Sequence, residues 1–526
     1  MNAGMPVRDY SIHRYVNAYC PKCFEEDPQS KEAALSRNAL LIEKDTKVYL
    51  NRACQKHGWV STLYEENYEI LKYLEEWTAP TKWVTPDSVN NFEAIPFAYT
   101  NGLGELQTQH TCILLEDINE NCNLSCPTCF TASSPKLTGV APLEEIMGNI
   151  DQRLTRENGK IDVLMLSGGE PTIHPQFNEI LENCITRNIT RIIVNTNGIE
   201  IARNDEMLKL FKKHNDRIEV YLQFDGISKE AHKHHRNVDL REVKKRAIER
   251  LTGAEVFVVL TMTVALGVND NEIGDVIKVA LDTPFVSGVS IQPQFGSGRS
   301  NDIDELDRLT HTGVLSRFEE QTNGLLSWKD MTSLPCSHPH CCSVGYVFET
   351  DDGDWKSLVE LVGEENLKKY LGLFSNTFAN GELSKEIKSS ISKAIPKKLT
   401  NALLNLLSEQ TTLTDPKVGD LFSDICEHCN LGISDMANLA RNSISKKRIR
   451  KLLAHKAKRI VIKPFMDINT MLEERLMQCC VHVGTKSKED LHQCAPFCAV
   501  QAWPWLSEQR LSTSAGHGEV IPLTKK

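Results

Sequence analysis

Asn121-Cys122-Asn123-Leu124-Ser125-Cys126-Pro127-Thr128-Cys129-Phe130 places three thiols in one tight loop, at the spacing C-x-x-x-C-x-x-C. The loop follows Ile113-Leu114-Leu115, which reads as a first strand. A 4Fe–4S cluster is held by thiolates, and three cysteines on four irons leave one iron open. Zinc uses four ligands, commonly in paired C-x-x-C units. On these cysteines alone, a zinc knuckle or buried free thiols stand level with the cluster.

A second stretch shifts that balance. Ser167-Gly168-Gly169-Glu170-Pro171 follows the apolar run 163–166, one strand–helix unit downstream. Glycines after a strand let the backbone approach a ligand closely. Gly168 and Gly169 can present backbone groups to the amino group of S-adenosylmethionine (SAM), and Glu170 can brace the turn or bind the ammonium. Further apolar runs at 192–194, 220–224, 256–260 and 289–291 are short, β-branched and bounded by Gly, Asn or Asp, as buried parallel strands are. Leu143, Ile146, Ile150 and Leu154 share one helical face between them. Repeated βα units predict an α/β barrel or open sheet, with its chemistry at the C-terminal strand ends. Those ends carry Asn195 and Asn197, then Gln223 and Asp225, with Arg236 just beyond. All are candidates for binding SAM, as is Phe130 against the adenine. Their plainer readings are turn residues and, for Phe130, a core aromatic.

Working outward, the chain divides into three parts: 1–105, 106–305 and 306–526. The first holds Cys20-Pro21-Lys22-Cys23 and Cys54-Gln55-Lys56-His57-Gly58, two knuckles suited to a small metal ribbon. Three cysteines with His57 suit zinc better than an iron site of four thiolates. The third part reads as largely helical and carries Cys336, Cys341, Cys342, Cys479, Cys480, Cys494 and Cys498, with a separate Cys426-Glu427-His428-Cys429. Cys112 and Cys184 read as structural. The 17 cysteines of the 526 residues are metal ligands rather than disulfides if the compartment is reducing. The formal net charge of -10 argues against general nucleic-acid binding. No apolar run reaches the roughly 18 residues of a membrane span, and residues 1–10 lack a signal-peptide core, so a cytoplasmic enzyme is expected.

Taken in order, these motifs resemble the radical SAM superfamily, which implies an α/β fold with a partial (β/α)6 barrel. The C-P-x-C, C-x-x-H-G, C-x-x-x-C-x-x-C, Gln-Phe-Asp-Gly and C-terminal cysteine groups together are similar to the tetraether lipid synthase family. That family was also described as 7,8-dihydro-6-hydroxymethylpterin dimethyltransferase. The resemblance implies an N-terminal metal site at Cys20, Cys23, Cys54 and His57, zinc or iron. It implies a SAM-binding 4Fe–4S cluster on Cys122, Cys126 and Cys129, which generates a 5′-deoxyadenosyl radical. It also implies auxiliary 4Fe–4S clusters drawn from the C-terminal cysteines, and a reductant such as flavodoxin or ferredoxin. The implied activity is carbon–carbon bond formation on lipid chains; the alternatives are radical methylation of a pterin-like molecule and peptide modification. This chain departs from the family at 102–110, where a further cysteine motif is missing. The basic, apolar-interleaved stretch 441–463 and the amphipathic 395–407 read from pattern as solvated helix faces. With the resemblance they tip toward interfacial helices and peripheral membrane contact.

Overall fold

The computed structural model describes residues 9–77, 111–334, 337–350, 353–369, 454–486 and 492–511. Cys336, Cys426, Cys429 and the stretches 102–110, 395–407 and 441–453 lie outside them.

β1 (Ser11–Ala18), β2 (Arg37–Lys44), β3 (Lys47–Cys54) and β4 (Gly58–Glu65) form an antiparallel sheet in chain order. Cys54 pairs with Gly58 across the last hairpin, and Gly58 sits at φ +67°, a left-handed position that glycine tolerates freely. The helix Pro21–Glu26 begins directly after Cys20. One knuckle is therefore a helix start and the other a hairpin.

Among the described residues the second sheet has 12 strands. At its centre run β5 (Ile113–Asn119), β6 (Ile161–Gly168), β7 (Ile189–Thr196), β8 (Ile218–Gln223), β9 (Phe257–Val264) and β10 (Val286–Pro293), each parallel to the next. Parallel neighbours need crossovers. The helices Leu143–Arg156, Phe177–Thr186, Asp205–Lys213, Arg241–Gly253 and Ile273–Asp282 lie between them in sequence. Side chains alternate across a strand. Leu114, Leu164, Ile192, Val220 and Val258 join the main core with the helices; Leu115, Met165, Ile193, Tyr221 and Val259 pack on the other face. That second core also takes in Val16, Leu41 and Leu50 of the N-terminal sheet. With both faces covered, unbroken apolar runs are what these strands need.

The C-terminal part closes both edges of this sheet. β14 (Ala457–Ile462) adds to β10 in parallel, and β12 (Ser343–Glu349) pairs antiparallel with β14. β11 (Thr332–Ser333) and β13 (Trp355–Ser357) pair with β12. At the opposite edge β15 (Val481–Lys486) adds to β5 in parallel and β16 (His492–Pro496) pairs antiparallel with it. The described residues of this part thus supply strands as well as short helices. The described end of the basic stretch is not an interfacial helix. Arg459-Ile460-Val461-Ile462 is a β-branched run inside the sheet, and Lys458, 2% exposed, caps backbone carbonyls of Thr283, Val286 and Ala454 at 3.0, 2.8 and 3.0 Å. A strand flanked by β10 and β12 cannot lie on lipid head groups. No helix among the described residues is long and apolar enough to cross a membrane.

Candidate functional site

At the N-terminal sheet, the ligand atoms of Cys20, Cys23, Cys54 and His57 all lie within 4.8 Å of one another. His57 Nδ1 faces the three sulfurs at 3.6, 3.4 and 3.6 Å, and Cys23 Sγ is 3.7 Å from Cys54 Sγ. Zinc bonds of about 2.3 Å to sulfur and 2.0–2.1 Å to nitrogen, set tetrahedrally, imply ligand separations of about 3.5–3.8 Å. The four groups fit that ion. His57 Nε2 donates to Glu26 Oε1 at 3.1 Å, the outer carboxylate that orients a metal-bound imidazole. Glu26 carries no sequence signal beyond its nearness to the first knuckle.

Cys122, Cys126 and Cys129 lie in the loop after β5, and none is in a disulfide. The Gly168–Gly169 turn holds this loop. Gly169 N–H donates to Asn119 O at 2.7 Å, and Glu170 N–H to Asn121 O at 2.9 Å. A Cβ at Gly168 would fall 2.3 Å from Asn119 O, and one at Gly169 2.1 Å from Asn121 O. Both glycines are required by contact with the cysteine loop. Glu170, 1% exposed, accepts from Thr172 N–H, Thr172 Oγ1, Thr196 Oγ1 and Asn197 N–H at 3.2, 2.5, 2.7 and 2.7 Å. Its carboxylate braces the turn. Asn197 Nδ2 donates to Asn123 Oδ1 at 2.7 Å, tying the end of β7 to the same loop.

The strand tips form a line. Asn195 Nδ2 donates to Ser167 Oγ at 3.2 Å, Gln223 Nε2 to Asn195 Oδ1 at 2.8 Å, and Arg236 Nη2 to Gln223 Oε1 at 2.8 Å. Arg236 grips Asp225 with two bonds of 2.6 and 2.7 Å and sets Nη1 4.0 Å from Cys126 Sγ. Burial alone would raise the Asp225 pKa, but Arg236 outweighs it and holds the carboxyl well below the usual range. A fixed cation therefore stands beside one thiol of the loop.

Sequence reasoning passed over Arg299. Its N–H donates to Cys129 O at 2.9 Å, and its guanidinium takes Cys126 O, Ala132 O and Ser133 O at 2.8, 2.6 and 2.7 Å. The only signal was its place just past the sixth strand. Phe130 packs tilted on Phe295 at 5.7 Å and edge-on against Phe497 at 5.6 Å, so an aromatic cluster adjoins the loop. Free thiols, an adjacent cation and the buried Asn123 Nδ2, which has no protein partner, suit a cluster-and-SAM site.

Of the C-terminal cysteines, Cys341, Cys342, Cys479, Cys480 and Cys498 come together. Burial pushes the Cys479 thiol well up, and the charges of Cys498, Cys480 and Cys341 add to it. Burial likewise pushes Cys342 and Cys498 up to about 12. Buried thiols that act on one another's charge suit a cation that would deprotonate them on binding. Cys494 is set apart. It lies in the main core, where the charges acting on its thiol come from Arg153, Glu116, Arg156 and Glu157. Cys112 donates its N–H to Cys480 O at 2.9 Å, beside the group, and Cys184 sits in the main core.

The radical SAM superfamily profile matches residues 118–280, and the HMPTM N-terminal zinc ribbon domain matches 12–66. The 7,8-dihydro-6-hydroxymethylpterin dimethyltransferase of Methanocaldococcus jannaschii is 26% identical over 504 residues, 91% of each chain. The antilisterial bacteriocin subtilosin biosynthesis protein AlbA of Bacillus subtilis is 30% identical over 116 residues, 22% of this chain and 25% of its own. Among solved structures, SuiB of Streptococcus suis bound to S-adenosylmethionine aligns with 41% of this chain and 47% of its own, at 12% identity and a TM-score of 0.34. The cysteine loop at the mouth of a parallel sheet and the profile over residues 118–280 agree: this enzyme carries a radical SAM domain.

Proposed function

We propose that this enzyme forms a carbon–carbon bond by radical chemistry, transferring a methyl group to a small heterocycle of the pterin class. The observation that carries the reading is the anchored loop: three free thiols at the strand ends, with Arg236 set against Cys126. Cys122, Cys126 and Cys129 would hold a 4Fe–4S cluster, with SAM along the line Ser167, Asn195 and Gln223. The chemistry such a cluster supplies with SAM is reductive cleavage to a 5′-deoxyadenosyl radical, which takes hydrogen from substrate carbon. The protein's part is position. Glu170 and Asn197 fix the loop, Arg299 clamps its carbonyls, and Arg236 offsets thiolate charge. Up to four of the five thiols of Cys341, Cys342, Cys479, Cys480 and Cys498 would hold an auxiliary 4Fe–4S cluster, and a protein such as flavodoxin or ferredoxin would supply electrons. Cys20, Cys23, Cys54 and His57 would hold structural zinc. The pterin class is supported by the dimethyltransferase relative, which matches along 91% of both chains.

A second reading, joining of lipid chains, comes from the resemblance of the ordered cysteine motifs, and the apolar face of the sheet is a filled core. Leu115, Met165, Ile193, Tyr221 and Val259 lie in one core with Phe295 and Phe497. Anaerobic reconstitution followed by mass spectrometry, with a pterin in one arm and a lipid extract in the other, decides between them. The expected result is 5′-deoxyadenosine together with a methylated pterin. A coupled lipid product moves the assignment to the second reading, and intact SAM under reducing conditions ends both.

A further inference from the structure

Arg475 is 3% exposed and sits in the helix Glu473–Met477, four residues before Cys479. Its guanidinium is fully directed. Nε donates to Cys341 Sγ at 3.3 Å, Nη2 to Pro464 O at 2.7 Å and Nη1 to Tyr64 OH at 3.3 Å. Tyr64 belongs to β4 of the N-terminal sheet, and its hydroxyl is 2.8 Å from His340 Nδ1. His340 Nε2 is 2.9 Å from Glu75 Oε1, which His13 Nε2 also reaches at 3.1 Å.

These contacts have one consistent direction. Arg475 donates to Tyr64, Tyr64 donates to His340, and His340 donates to the Glu75 carboxylate. His340 is 0% exposed and Tyr64 2%. The chain starts at a cysteine of the C-terminal group and ends at a carboxylate on the helix Tyr68–Glu75, which follows the ribbon. Arg14 of β1 adds a further tie, 3.3 Å from Glu474, the neighbour of Arg475. The N-terminal part therefore aims the guanidinium that, among the described residues, donates to one of these thiols.

We propose that Arg475 is the positioning residue that sets the reduction potential of the C-terminal centre, and that Tyr64, His340 and Glu75 hold it there. This rests on the reading of that cysteine group as an auxiliary cluster. Hydrogen bonds to cluster sulfurs and nearby charge are what tune such potentials. A cation donating to Cys341 stabilises the reduced, more negative state, so its removal drives the potential down. The ribbon's task then extends beyond holding its own metal, because it supplies the outer shell of a centre built from the C-terminal part of the chain.

The test is potentiometric titration of the reconstituted holoenzyme, followed by electron paramagnetic resonance, with the SAM-site cluster as internal reference. Arg475→Met should shift the C-terminal centre to a more negative potential and leave the SAM-site cluster where it is. Tyr64→Phe, which deletes one hydroxyl, should shift it the same way by less, and Arg475→Lys should recover part of the Met shift. Tyr64→Phe also serves if Arg475→Met fails to fold. Wild-type potentials in the variants, or an equal shift in both clusters, overturn the proposal. A wild-type enzyme whose iron count and resonance show only the SAM-site cluster overturns the auxiliary-cluster reading, and the proposal with it.

Discussion

Arg236 joins three things with one guanidinium: the Asp225 carboxylate, the Gln223 amide and the Cys126 thiol. Asp225 is 0% exposed, and a buried carboxylate stripped of its partner costs about 3–5 kcal/mol. Arg236→Met should lower unfolding free energy by that order in denaturant titration and also reduce iron retained at the cysteine loop. A variant that unfolds at the wild-type midpoint with full iron would show that the pair does not hold the site. The cysteines themselves were legible, because thiols at fixed short spacing have few other uses. Arg236 could be marked only as lying beyond a strand end. Arg299 and Arg475 were invisible, because a guanidinium's partners are carbonyls and sulfurs brought to it by folding, and nothing local distinguishes them from surface arginines.

At the scale of elements, the Gly168–Gly169 turn is a bearing surface between two strand ends. The sequence suggests glycines opened for a ligand; the contacts assign their missing side chains to the backbone of residues 119–121. Gly169→Ala puts a methyl against Asn121 O, a backbone atom with little room to move. The loop should shift, at a cost of about 1–3 kcal/mol as in an overpacked core. Iron bound by Cys122, Cys126 and Cys129 should fall while zinc at the ribbon stays near one per chain, as measured by metal analysis of the purified variant. Equal loss of both metals would mean general unfolding instead. The six central strands were readable because burial on both faces forces continuous apolar runs. β14 was not, since Lys458 and Arg459 look like part of a solvated face until the carbonyls that Lys458 caps are known.

At the scale of the molecule, the N-terminal sheet meets residues of the C-terminal part, and no local pattern could have announced it. β14 and β15 close opposite edges of the parallel sheet, while residues 464–477 between them carry the ribbon. Arg52 and Thr62 both donate to Asn469 O, Tyr19 packs edge-on against Trp503 at 4.9 Å, and Ser36 donates to Glu473 at 3.0 Å. Arg52 is 0% exposed, so the bonds its Nη atoms make to Leu50 O, Thr62 Oγ1 and Asn469 O hold only while the ribbon is folded against this segment. A structural zinc site of this type contributes of the order of 10 kcal/mol to its domain, far more than a small sheet stores otherwise. Removing the ion should therefore release more than the ribbon. Cys54→Ala is expected to lose one zinc per chain and to weaken amide-exchange protection in residues 466–477, some 400 positions away in sequence, as well as in β1 to β4. Exchange mass spectrometry with and without zinc reads both segments at once. If protection falls in the ribbon alone, the ribbon folds as an independent unit and the joint between it and the C-terminal part carries no stability.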